Sequence, residues 1–298
     1  MKKSIAIGFL IWLCSGNALQ AQNKHEFSIY GGGGISTLMY DVNVTGGSQK
    51  MGFGGHFGLG YQFFFSPNWG LGSGVELTLY NSKFEMNNTL ETYYAIKDPT
   101  DLDPASQWFD FISRVSKHEE KQRPMFIQIP LMLQFQTNGA NKFFASIGGK
   151  VGIPISKTYE STATLLNGGY FGYENYDYDT RAKGFGLYEN RPTKGDMSLK
   201  PAFLASAELG LKWRLSPNWS LYTGAYVDYG INNIQDELAP LVVYNMDVPS
   251  QFAVQSVVNA QYTPRVANSQ TQSFTDKVIP FAVGLKLRLA FSKGAKSR

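Results

Sequence analysis

Glu76 and Glu208 are carboxylates set in apolar, glycine-rich stretches, and two such groups brought close together can act as a general acid and a general base. The alternative is structural, with both neutralising Lys150 and its neighbours, because a lone charge inside an apolar wall costs several kcal/mol. Three histidines complete the inventory. His25 lies near the start of the first strand-like stretch, His56 in the second, and His118 beside Glu119 and Glu120. Hydrolysis at an outer rim could use His118 or His56. Neither has a serine or acidic partner at a diagnostic spacing. No two histidines stand at metal-ligand spacing, and the single cysteine, Cys14, lies close to the N-terminus, so neither metal nor cofactor is expected. The sequence points away from an enzyme.

The elements that hold these groups have period two. In Val278 to Phe291, the positions Ile279, Phe281, Val283, Leu285, Leu287, Leu289 and Phe291 are apolar, with Pro280, Ala282, Gly284, Lys286, Arg288 and Ala290 between them. A long strand with one greasy face and one small or charged face fits the wall of a transmembrane barrel. Composition agrees: 43% hydrophobic, 17% charged, 31 glycines, 17 tyrosines and 21 phenylalanines suit many strands better than a helical bundle. Partner strands follow along the chain, at about 26–40, 51–65 and 69–79. The turn Ser66-Pro67-Asn68 before Trp69 returns unchanged as Ser216-Pro217-Asn218 before Trp219, inside a second hairpin over 208–230. A third hairpin, about 125–155, lies between them. With the last strand the count is eight, predicting an all-β, eight-stranded antiparallel up-and-down transmembrane barrel, with ten strands as the alternative.

The N-terminus, with Lys2 and Lys3 before the apolar run Ile5 to Leu13, reads as a signal peptide over 1–21, leaving 22–298 as the barrel. Its loss lowers the formal charge from +4 to +2, which gives no case for a nucleic-acid partner. Short connections alternate with long ones near 86–120, 158–197 and 232–275, the asymmetry of outer-membrane barrels, whose short turns are periplasmic. Both termini are then expected in the periplasm, and Trp69, Trp213, Trp219, Phe65, Phe143 and Phe291 form an interfacial girdle beside the short turns.

Inward positions carry Glu26, Glu76, Glu208 and Asp228 against Lys150, Lys212, Arg214, Lys286 and Arg288. So even a balance predicts a lumen closed by ion pairs, with Glu76, Lys150 and Glu208 at one height. A narrow pore for small solutes is the competing expectation. Among the loops, Asp103-Pro104 with Trp108, Ile112 and Val115 at helical spacing predicts a short amphipathic helix. Trp108, Tyr170, Phe171, Tyr173, Tyr176 and Tyr178 are the candidate contacts for an extracellular ligand or partner protein, since tyrosine among small polar residues gives contact area at low entropic cost. Leu241 to Met246 and Phe252 to Val258 predict an extra extracellular hairpin.

The stretch Ile127-Gln128-Ile129-Pro130-Leu131-Met132-Leu133, followed by Gly149-Lys150-Val151-Gly152-Ile153-Pro154-Ile155-Ser156, resembles the barrel domain of Bacteroidetes-type outer-membrane proteins, often described as OmpA-like or PorT-like. The resemblance covers the mature barrel and implies an eight-stranded outer-membrane protein without a known reaction. The chain stops seven residues after Phe291, so a peptidoglycan-binding domain is not expected. Outer-membrane lipid is one expected partner, and the barrel-assembly machinery, engaging the strand that ends at Phe291, is another.

Overall fold

The computed structural model describes residues 24–97, 108–172, 175–245, 248, 251–264 and 269–292; the proposed signal peptide, Asp103-Pro104 and Tyr173 lie outside them. Eight strands form a closed antiparallel ring: β1 (His25–Met39), β2 (Phe53–Phe64), β3 (Trp69–Leu79), β4 (Trp108–Gln136), β5 (Lys142–Tyr170), β6 (Ala202–Arg214), β7 (Trp219–Gly230) and β8 (Ile279–Ser292). Each pairs with its neighbour in sequence, and β8 closes on β1 with Phe27 opposite Phe291. The ten-stranded alternative does not arise.

Alternation decides which side chain goes where. Phe57, Leu59, Leu71, Ile129, Leu131, Ile147, Leu209 and Leu285 stand outward, Leu285 as much as 73% exposed, while Glu76, Gln128, Lys150 and Asp228 point into the ring. In a soluble protein such a belt would be an aggregation surface; against hydrocarbon it is the favourable arrangement. At its lower edge Trp69 meets Phe135 and Trp219 meets Phe291, with ring centroids 5.1 and 5.2 Å apart. Both Ser-Pro-Asn turns are sealed alike. Ser216 N–H donates to the Trp219 carbonyl at 3.1 Å, and Ser66 N–H to that of Trp69 at 3.2 Å.

Two expectations fail above the belt. The long connections near 86–120 and 158–197 are largely strand: β4 and β5 stay paired from Asp110↔Tyr170 to Gln136↔Phe144, and Ser82–Met86, Leu90–Lys97 and Gly186–Asp196 pair onto their upper parts. At about 3.3 Å per residue these 29-residue strands run far past the nine to eleven residues a bilayer requires. Charge hides them in the sequence, because the outer face at Glu119, Lys121 and Arg123 meets water where the outer face below meets lipid. The amphipathic helix also fails. Residues 108–115 open β4, where Ile112 pairs with Tyr93 on one side and Gly168 on the other, so both backbone edges are satisfied as strand.

The segment after β7 folds inward. Val242–Tyr244 pairs with Phe252–Val254, so the expected pairing forms over three residues a side, but it is packed inward and does not stand as an extra extracellular hairpin: Leu241, Val254, Val257, Ala260 and Phe274 are buried against Phe84, Met86, Phe111, Leu165 and Phe185 of the upper wall. The barrel mouth is filled by its own loop.

Candidate functional site

The lumen is filled in tiers. Nearest the short turns, Lys212 pairs with Glu26, and the Tyr222 hydroxyl donates to Glu26 Oε2 at 2.6 Å. The Arg288 guanidinium lies 3.9 Å from the Tyr222 ring centre and donates to Gln134 Oε1 at 2.8 Å. One step higher, Lys286 pairs with Glu208 and sits over the Tyr30 ring at 4.2 Å. Highest of the three, Lys150 Nζ bridges Glu76 Oε1 at 2.6 Å and Asp228 Oδ2 at 2.9 Å, while Ser206 Oγ donates to the other Asp228 oxygen at 2.5 Å.

These pairs exist because facing strands deliver opposite charge at matched heights. Buried ions persist when their oxygens and protons find partners; the tyrosines and Ser206 supply several that the pairs leave over, while Glu76 Oε2 is buried without a hydrogen bond among the described residues. Cations over Tyr30 and Tyr222 gain further attraction from the ring faces. A lumenal space of about 40 Å³ remains among Tyr30, Gln62, Ser146, Glu208, Lys286 and Arg288, room for about one water.

The placements differ from expectation in three respects, the first being that Arg288 meets Gln134 and Tyr222 and no carboxylate among the described residues. Glu208 does not share Lys150; Asp228 takes that position, because β6 meets β7 with Ser206 opposite Asp228 and so sets Glu208 lower, beside Lys286. Arg214 is not part of the network. It is exposed at the short-turn end of β6 and reaches no carboxylate among the described residues, since water solvates it there. Tyr30, Tyr222, Gln134 and Ser206 were missed; inward tyrosines flanked by inward charges were the available signal.

Above the ions, His56 packs edge-on against Tyr226 at 4.6 Å, and Gln128 Nε2 donates to the Tyr80 hydroxyl at 2.7 Å. Higher still, beyond the apolar belt, Glu120 is fully buried. It accepts from Ser256 Oγ at 2.6 Å and Val257 N–H at 3.0 Å, both on the inward-folded loop, and from Gln122 Nε2 at 2.8 Å. Burial without a cationic partner raises its carboxyl to about 7. His118, equally buried with its Nε2 3.7 Å from Glu120 Oε2, has no hydrogen bond at either ring nitrogen, and burial lowers it to about 4. Both side chains are buried. The carboxylate works as a clasp, fixing the loop in the mouth.

The tyrosine candidates divide. Tyr170 lies 4.8 Å from Tyr176, and Tyr176 stacks on Tyr178 at 6.3 Å with planes 5° apart, the Tyr178 ring 5.9 Å from the Arg114 guanidinium. Tyr176 is 41% exposed. Phe171 turns in, stacked on Phe109 at 5.2 Å, so it is wall packing and not an open contact. Trp108 starts β4, and Tyr173 lies outside the described residues.

A closed eight-stranded ring, lipid-facing outside and ionic within, defines a transmembrane β-barrel. Residues 20–236, well over half of the chain, match the family described as outer membrane protein beta-barrel domain, and the chain belongs to that family in the outer membrane. No curated protein matches. Among solved structures, it is similar to Neisserial surface protein A (8% identity, 92% of this chain and 100% of that one, TM-score 0.35). It is also similar to OprG from Pseudomonas aeruginosa (13%, 91% and 99%, TM-score 0.34) and to the attachment invasion locus protein Ail of Yersinia pestis, solved with a heparin analogue (13%, 90% and 99%, TM-score 0.29).

Proposed function

We propose that the protein is a non-conducting, non-enzymatic outer-membrane barrel that acts at the cell surface through its extracellular sheet. Lys150, held between Glu76 and Asp228 beneath the loop clasped by Glu120, carries this reading: a solute path would have to break paired buried charges and also lift the loop. His118 and His56 are both buried, which argues against the rim hydrolase. In this reading the short turns and both chain ends face the periplasm, and the strand ending at Phe291 engages the barrel-assembly machinery. The Tyr170, Tyr176 and Tyr178 ladder is the contact surface for an extracellular ligand or partner protein. Kinship with the Bacteroidetes-type PorT-like barrels belongs to the same proposal; its support is that the two motifs lie side by side, Ile127 opposite Ile153 and Ile129 opposite Val151.

The test is single-channel recording of the refolded full barrel in a planar bilayer. A silent bilayer containing heat-modifiable, folded protein is expected. Stable current steps that change on Lys150→Met would replace this reading with the narrow pore.

A further inference from the structure

Where the upper sheet leaves the barrel, the wall is notched. Strand β3 stops at Leu79, Tyr80 N–H crosses to the Pro124 carbonyl at 3.0 Å, and the chain resumes pairing at Ser82, opposite Gln122. The break opens an outward groove of about 510 Å³ lined by Gly52, Leu79, Asn81, Lys83, Lys121 and Arg123, among others, with no carboxylate in its lining.

Two of its three cations make no ion pair among the described residues, although Glu160 stands opposite Lys121 in the register of β4 and β5. Lys83 is held from above by Glu85 and, at 3.7 Å, by Glu119. Lys121 and Arg123 are exposed and have no ion-pair partner among the described residues. Lys194, across the strand, is occupied by Glu160 at 2.7 Å. Its height matters equally. Arg123 stands two residues, about 7 Å along the strand, above Met125, and the outward belt of Ile127, Ile129 and Leu131 begins there. On the groove's other wall, Phe53, next below Gly52, is 78% exposed. A groove cationic at its top and apolar at its foot, at the upper edge of a lipid-facing belt, fits a molecule with an anionic head and acyl chains. Arginine adds a planar fork that matches phosphate oxygens.

We propose that Lys121 and Arg123, with Lys83 behind them, form a binding site for the phosphate-bearing headgroup of an outer-leaflet lipid. The acyl chains lie along Leu79, Phe53 and the β2–β3 face. The site lies beyond the tyrosine surface proposed above and does not depend on what that surface binds.

The experiment uses the full refolded barrel in phosphatidylcholine vesicles containing either lipid A or its dephosphorylated form in both leaflets, so that the result is independent of insertion direction. Lipid retained on extraction is then weighed by native mass spectrometry. Expected are retention of lipid A roughly tenfold over the dephosphorylated form and loss of that preference in K121A/R123A. The preference is expected to persist in K200A/K277A, whose exposed lysines stand elsewhere at the same end. K121Q/R123Q is the second variant should the alanine pair fold poorly. Equal retention of both lipids, an unchanged preference in the groove variants, or an equal loss in K200A/K277A would overturn the site. Displacement of lipid A by dextran sulfate at matched charge would overturn the lipid in favour of a soluble polyanion.

Discussion

The buried pair His118 and Glu120 makes the sharpest prediction. Burial holds Glu120 at about 7, above its ordinary 4.5, so the folded chain keeps a proton that the unfolded chain gives up. Its stability contribution is full below about 4.5 and is lost as pH rises through about 7. His118 behaves oppositely: lowered from 6.5 to about 4, its contribution is full above 6.5 and is lost as pH falls through about 4. Each pH unit over which the two states differ by one proton is worth about 1.4 kcal/mol, so each group alone tilts stability by about 3 kcal/mol. Between about 4.5 and 6.5 the tilts cancel, because the unfolded chain carries its proton on His118 and the folded chain carries it on Glu120. Tyr40 and Tyr159, the other ionisable groups beside Glu120, are pushed up by burial and do not titrate there. Urea unfolding in detergent micelles, followed by tryptophan fluorescence and run in a His56→Ala background so that the other buried histidine adds no slope, should find the parent nearly flat across this window. Glu120→Gln should gain about 3 kcal/mol from pH 4 to 6.5, and His118→Asn should lose about as much from 4.5 to 7. A steep parent, or two single variants sloping the same way, refutes the neutral buried pair.

Lys150→Met leaves Glu76 and Asp228 buried without their cation and should cost about 3–5 kcal/mol in the same assay. Adding Glu76→Gln and Asp228→Asn should restore most of it, whereas a full loss in the triple variant would mean that packing and not charge is at stake. Gly32→Val places a Cβ 2.6 Å from His56 Cε1 and 2.8 Å from the Leu285 carbonyl. A loss of about 1–3 kcal/mol is expected, and it should shrink when His56→Ala is added. Ser256→Ala removes one donor to Glu120 and should speed hydrogen exchange at the Val257 amide while leaving β8 amides unchanged.

The alternation in residues 279–291, the repeated Ser-Pro-Asn-Trp turns and the apolar positions from Ile127 to Phe135 determined the eight membrane strands, because lipid on one side and a packed lumen on the other write a period of two directly into the residue types. The same alternation placed Glu76, Lys150, Lys212 and Lys286 inside. It could not say which cation meets which carboxylate. That depends on how far each strand is staggered past the next, and stagger is set by the closure of the whole ring, which put Asp228 beside Lys150 and left Arg214 in water. Above the membrane the outer face meets water, so Lys117, Glu119, Lys121 and Arg123 lose the apolar signature while the backbone continues as strand. The inward turn of the last loop was beyond reach for a related reason: Leu241, Val254 and Val257 are apolar in any setting, and only the cavity walled by Phe84, Phe111 and Phe185, assembled from distant parts of the chain, gives them somewhere to go.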